Sequence, residues 1–138
     1  MNVPVITATY AAVLALLYAV LSLQVVRLRR SNRVGFGDGG NTALRGAIRA
    51  HAHFAEYVPI ILLMAAMLEM SGLAAMRIHF LMGALLIARL LHPLGMHAKP
   101  GTLQFSAGRV GGMVVTTLVM IACALLILVR PWLGDWWS

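Results

Sequence analysis

Charge is scarce in this sequence: only 11% of its 138 residues are charged, against about a quarter in a typical soluble domain. That is too little to coat a water-exposed surface. Acid is scarcer still, with four Asp and Glu against eleven Lys and Arg, for a formal net charge of +7. Cysteine occurs once, as Cys123, and one thiol cannot build an internal disulfide framework, so a secreted disulfide scaffold is excluded. Lying deep in an apolar run, Cys123 reads as an inert small residue facing lipid or a neighbouring helix. What is plentiful is hydrocarbon: 61% of residues are hydrophobic and the mean hydropathy is +0.87. With ~20 apolar residues needed per bilayer crossing, four crossings use most of the chain. The expectation is a single all-α domain over residues 1–138, an integral membrane four-helix up-down bundle. Basic chains bind nucleic acid, anionic lipid or acidic ligands; here the hydropathy argues against nucleic acid and for the lipid bilayer.

The first apolar run spans about Val3 to Val26 and is closed by Arg27, Arg29, Arg30 and Arg33. No basic residue precedes it and no small-residue cleavage site follows it, so a retained helix is expected rather than a signal peptide. The segment Gly35-Phe36-Gly37-Asp38-Gly39-Gly40 cannot be helical, and without a GK[ST] ending it is no phosphate-binding loop. A second helix is expected from an Asn41 or Thr42 N-cap to about Met70, then a tight turn at Ser71-Gly72. The third runs from about Ala74 to the His92-Pro93 region, and the fourth from about Leu103 to Val129. Trp132, Trp136 and Trp137 read as an interfacial anchor. Nine basic residues (Arg27, Arg29, Arg30, Arg33, Arg45, Arg49, Arg89, Lys99 and Arg109) fall at or toward one side, and Arg77 and Arg130 at the other. The positive-inside rule then places both termini away from the cytoplasm.

Ionisable residues inside apolar spans are costly, and their default reading is functional. Arg49, His53 and Glu56 recur at i, i+4 and i+7, one face of a helix, and Arg45 extends that face by a turn. Arg89 and His92 stand at i and i+3 on the third helix. Arg109 sits about two turns into the fourth, above Gly112 and Thr116. All three clusters lie on the same side, and their convergence on one pocket is expected. A single carboxylate, Glu56, would then face four arginines, an excess of cations that implies a missing anion. The plainer alternative is that Arg49 and Glu56 neutralise each other while His53 and Arg89 act as polar glue between helices. No metal is expected, because His51 and His53, at i and i+2, point to nearly opposite faces and lack a cysteine partner. His79 reads as a satisfied interfacial histidine, and Glu69 as a solvated helix end.

The run Arg49-Ala50-His51-Ala52-His53-Phe54-Ala55-Glu56-Tyr57-Val58-Pro59 resembles the second-helix signature of the MAPEG family, the membrane-associated proteins of eicosanoid and glutathione metabolism. Gln24 to Arg30 resembles the end of that family's first helix, Arg89-Leu90-Leu91-His92 its third-helix R-x-x-H, and Phe105 to Arg109 the start of its fourth. The glycine-rich loop resembles the bacterial branch.

The resemblance implies a homotrimer in a bacterial inner membrane, with glutathione bound between subunits near the cytoplasmic face. It implies Arg27, Arg49, His53, Glu56, Arg89, His92 and Arg109 as glutathione ligands, with Arg109 the catalytic residue that stabilises the thiolate. The implied activity is a glutathione-dependent transferase or peroxidase acting on a hydrophobic second substrate. Two positions depart from the pattern: His53 replaces an asparagine, and Met96 stands where a tyrosine often follows the R-x-x-H. These departures leave open a non-catalytic membrane protein that holds glutathione or an anionic lipid head group in the basic pocket.

Overall fold

A computed structural model of the chain describes residues 3–96, 101–103 and 105–132. Four helices run through it in up-down order, each long and apolar enough to cross a bilayer. They are α1 (Val5–Asn32), α2 (Thr42–Met70), α3 (Ala75–Met96) and α4 (Gly112–Val129); α4 is preceded by a π-helix, Phe105–Gly111, and followed by a 3-10 turn, Arg130–Trp132.

α1 continues past the expected end at Val26 to Asn32. Arginine and leucine are good helix formers, and the cations of the last turn suit the negative end of the helix dipole. Arg33, in the left-handed region at φ 53°, then closes the helix, with the Val34 N–H donating to the Arg29 carbonyl at 3.0 Å. α2 begins where expected. The Asn41 side chain accepts from the Leu44 N–H at 2.9 Å and caps the helix. α3 does not end at Pro93, as expected from the donor that proline removes, but runs on to Met96.

The fourth span departs most from expectation, opening with a wide π-turn in place of a continuous α-helix from Leu103. Its cause is a close backbone approach. A Cβ on Gly95 would collide with the backbone of Gly108 and Arg109, and one on Gly108 would come within 2.7 Å of Gly95 and the Leu91 carbonyl. Only glycine at both positions lets the π-helix lie this deep against α3.

Leu14 and Leu21 of α1, Ile61 and Leu68 of α2, Met82 and Leu85 of α3, and Cys123 of α4 share one buried core. Cys123 therefore faces helices, not lipid. At the far end Glu69 is not solvated as expected: its carboxylate accepts from the Ile6 N–H (2.8 Å), the Thr7 N–H (2.8 Å) and the Thr7 hydroxyl (2.7 Å). α1 has no acid in its first turn and no side-chain cap of its own. The last turn of α2 supplies the missing acceptor. Beside it the Tyr10 hydroxyl lies 3.4 Å from His79 Nδ1, which gives that histidine the partner expected for it.

Candidate functional site: a cationic cleft at the start of α2

Arg45 and Arg49 lie one turn apart on α2, and the π-helix brings Arg109 to meet them. With Thr42 and Gly46 they line a cleft of about 480 Å³, within the roughly 300–1,000 Å³ usual for small-molecule sites. It opens at the amino-terminal end of α2, where the helix dipole adds positive potential. Arg45 is ion-paired with Asp38 in the glycine-rich loop. Arg49 has no hydrogen-bond or ion-pair partner among the described residues.

Glu56, His53, His92 and Arg89 form a second group beside the cleft. Glu56 is exposed on the outer face of α2 and its carboxylate reaches His53 Nδ1 at 3.6 Å. Among the described residues the basic side chain within reach of it is thus a histidine, which pairs with it only when protonated, where an arginine was expected. The His53 ring stands perpendicular to that of His92, with centroids 5.5 Å apart. His53 is also within electrostatic reach of Arg49, Arg89 and Arg109. His92 is only 3% exposed. The backbone of Gly108 and Arg109 passes close to its ring, but neither ring nitrogen has a partner in hydrogen-bonding geometry.

Arg89 is 1% exposed, set inside the protomer. One terminal nitrogen donates to the Thr116 hydroxyl at 2.6 Å and to the Gly112 carbonyl at 3.2 Å. Its Nε and other terminal nitrogen have no acceptor. A guanidinium carries five donors, so this buried cation has capacity to spare.

Of the residues singled out in the sequence, Arg49 and Arg109 thus share one cleft. His53, Glu56, His92 and Arg89 form the polar file beside it, and Arg27 stands apart on the outer face of α1, next to Arg30. The side chain of Met96, together with His97, Lys99, Trp136 and Trp137, lies outside the described residues. His51 and His53 do point apart: His51 stacks on Tyr18 at 4.7 Å, while His53 turns toward His92. The contribution of Asp38 is new. Its only signal in the sequence is one acid in a glycine-rich loop, seven residues before Arg45.

A model of the MAPEG family matches residues 7–129. The chain belongs to the MAPEG family. It is 35% identical over 131 residues to the inner membrane protein YecN of Escherichia coli strain K12, an alignment covering 95% of this chain and 94% of YecN. YecN of Escherichia coli O6:H1 gives the same identity and coverage. No solved structure matches the chain. In this MAPEG chain the family-like arginines of the second and fourth spans are the two that meet in the cleft, while that of the third is buried within the bundle.

Proposed function

We propose that the chain binds glutathione in the cleft of Arg45, Arg49 and Arg109 and activates its thiol for transfer to a lipophilic electrophile or reduction of a lipid hydroperoxide. The observation that supports this most is the convergence of three guanidinium groups on one cleft, with a single carboxylate, Asp38, paired among them. Planar guanidinium groups suit the two carboxylates of glutathione. The exposed Glu56 carboxylate suits its ammonium. Arg109 beside the sulfur would favour the thiolate, the nucleophilic form. Glu56 and Arg27 both face outward on a protomer this small, so neighbouring copies complete the site, most simply as a homotrimer. By analogy with the inner-membrane relative, and by the positive-inside rule, the protein lies in a bacterial inner membrane with both termini non-cytoplasmic.

The imidazole at position 53 supports a second reading, in which glutathione is held without turnover. Near-ultraviolet thiolate absorbance, followed across pH with glutathione bound to detergent-solubilised protein, separates the two. A thiol pKa lowered in wild type and restored in Arg109→Ala, with much of the binding retained, supports activation, because a guanidinium stabilises developing sulfur charge more than a neutral thiol. Binding without a lowered thiol pKa leaves the binding-protein reading. Calorimetry that detects no glutathione binding at all defeats both.

A further inference from the structure

An arginine that favours a thiolate cannot itself take the proton of the thiol, because a guanidinium offers donors and no acceptor. The three cleft arginines therefore leave that proton without a destination. Of the carboxylates described, Asp38 is paired with Arg45, and Glu69 caps α1 at the opposite end. His51 stacks on Tyr18 of α1, and His92 is buried between helices. His53 is left, one turn beyond Arg49 on the same face of α2 and only partly buried.

The surroundings of His53 suit a base. Its Nδ1 is turned to the Glu56 carboxylate, 3.6 Å away and one turn further along α2, and is enclosed without a closer partner. Nε2, on the other edge of the ring, has no hydrogen-bond partner among the described residues. From α3 the His92 ring braces it in perpendicular contact at 5.5 Å, and Tyr57 lies at 6.2 Å on α2 itself. The charges facing it are Glu56 and Arg49 on α2, Arg89 on α3 and Arg109 on the π-helix. An imidazole set between a nucleophile and an orienting carboxylate is the arrangement by which weak nucleophiles are activated.

We propose that His53 is the catalytic base of thiol activation, with Glu56 as its positioning residue, an inference that rests on the activation reading above. The S–H bond of glutathione breaks, its electron pair stays on sulfur beside Arg109, and the proton passes to His53 Nε2. The Nδ1–H then donates to one oxygen of Glu56, whose charge offsets that of the imidazolium. The other oxygen remains for the glutathione ammonium. The proton stays inside the site, and its total charge is unchanged by the transfer.

The test counts protons. Glutathione and S-methylglutathione, which carries the same charged groups and no thiol proton, are titrated to saturation at neutral pH into detergent-solubilised protein. Calorimetry in two buffers of different ionisation enthalpy gives the protons released with each ligand. The difference between the ligands is the thiol proton, and near-ultraviolet absorbance gives the thiolate formed. Wild type should form thiolate while releasing little of that proton, because His53 keeps it. His53→Gln should lose most of the thiolate at neutral pH and recover it at higher pH with about one proton released per thiolate. Saturable binding of S-methylglutathione shows that a variant is folded, and His53→Asn serves where His53→Gln is not. Release of about one proton per thiolate by wild type, or unchanged thiolate and proton counts in the variant, overturns the proposal while leaving activation by Arg109 intact. Wild type that binds glutathione and forms no thiolate defeats the activation reading, and this inference with it.

Discussion

Arg89 donates to the Thr116 hydroxyl at 2.6 Å inside the bundle, and no carboxylate among the described residues reaches it. Thr116 in turn donates to the Gly112 carbonyl at 2.7 Å. A hydroxyl that accepts from a cation and donates to a helix backbone ties α3 to α4 at the level of the π-helix. Thr116→Val removes that acceptor while keeping the shape. The expected loss is about 1–3 kcal/mol of stability, with Thr116→Ser close to wild type, measured by thermal unfolding in mild detergent.

Glu56→Gln and Glu69→Gln should separate binding from folding. Glu56 is exposed beside the cleft, so its substitution should weaken glutathione about tenfold or more, as expected for losing a hydrogen bond to a charged group. Glu69 caps α1 at the opposite end. Its substitution should lower the unfolding temperature and leave glutathione affinity unchanged by calorimetry. Equal effects on affinity would point to Glu56 acting only through the fold.

Asp38 occupies Arg45 as a ligand carboxylate would. Its hydrogen bonds with the Arg45 guanidinium and the Gly40 N–H hold its carboxyl below the ordinary value of 3.8. A carboxyl lowered on folding stabilises the folded loop at every pH above that ordinary value, and the contribution is lost as pH falls through the folded value. The contact is therefore complete at neutral pH, and only acid strong enough to reach the lowered folded value releases it. Asp38→Asn frees Arg45 at pH 7 and should tighten glutathione binding by less than about fivefold, since the pair is exposed. Weaker binding would show instead that Asp38 holds Arg45 in its productive position.

Gly95→Ala and Gly108→Ala should each perturb the π-helix, because the new Cβ meets backbone and not a flexible side chain. Overpacking of this kind costs about 1–3 kcal/mol. The site-level readout is a raised thiol pKa in bound glutathione as Arg109 shifts. Gly35→Ala, with nothing close to its Cβ position and no left-handed backbone, tests whether such effects are specific to the packed pair.

Reporter fusions test the orientation. The basic asymmetry of the chain predicts a cytoplasmic reading near Gly39 and a non-cytoplasmic one after Ser138. The reverse pattern would put the cleft on the other side of the membrane.

The four spans, their order and the Asn41 cap were legible because apolar runs, glycine breaks and an amide before a helix are local signals. The Arg49, His53 and Glu56 face was legible from helical spacing alone. Three features were not. The π-helix depends on Gly108 meeting Gly95, thirteen residues earlier in the chain, and the spacing of Phe105 to Gly111 carries no trace of it. The inward turn of Arg89 depends on Thr116, a partner on another helix. The exposure of Glu56 and Arg27 depends on how helices pack laterally, which composition does not encode.

Glu69 also constrains how the protein is made. Until the end of α2 arrives, the Ile6 and Thr7 amides at the start of α1 lack the acceptors they have in the finished fold, a costly condition wherever water is excluded. α1 thus reaches its final state only after α2 has crossed and delivered its acid to the opposite side. The first two spans form an interdependent hairpin, and a nascent chain halted before residue 69 would hold α1 with a frayed, movable start.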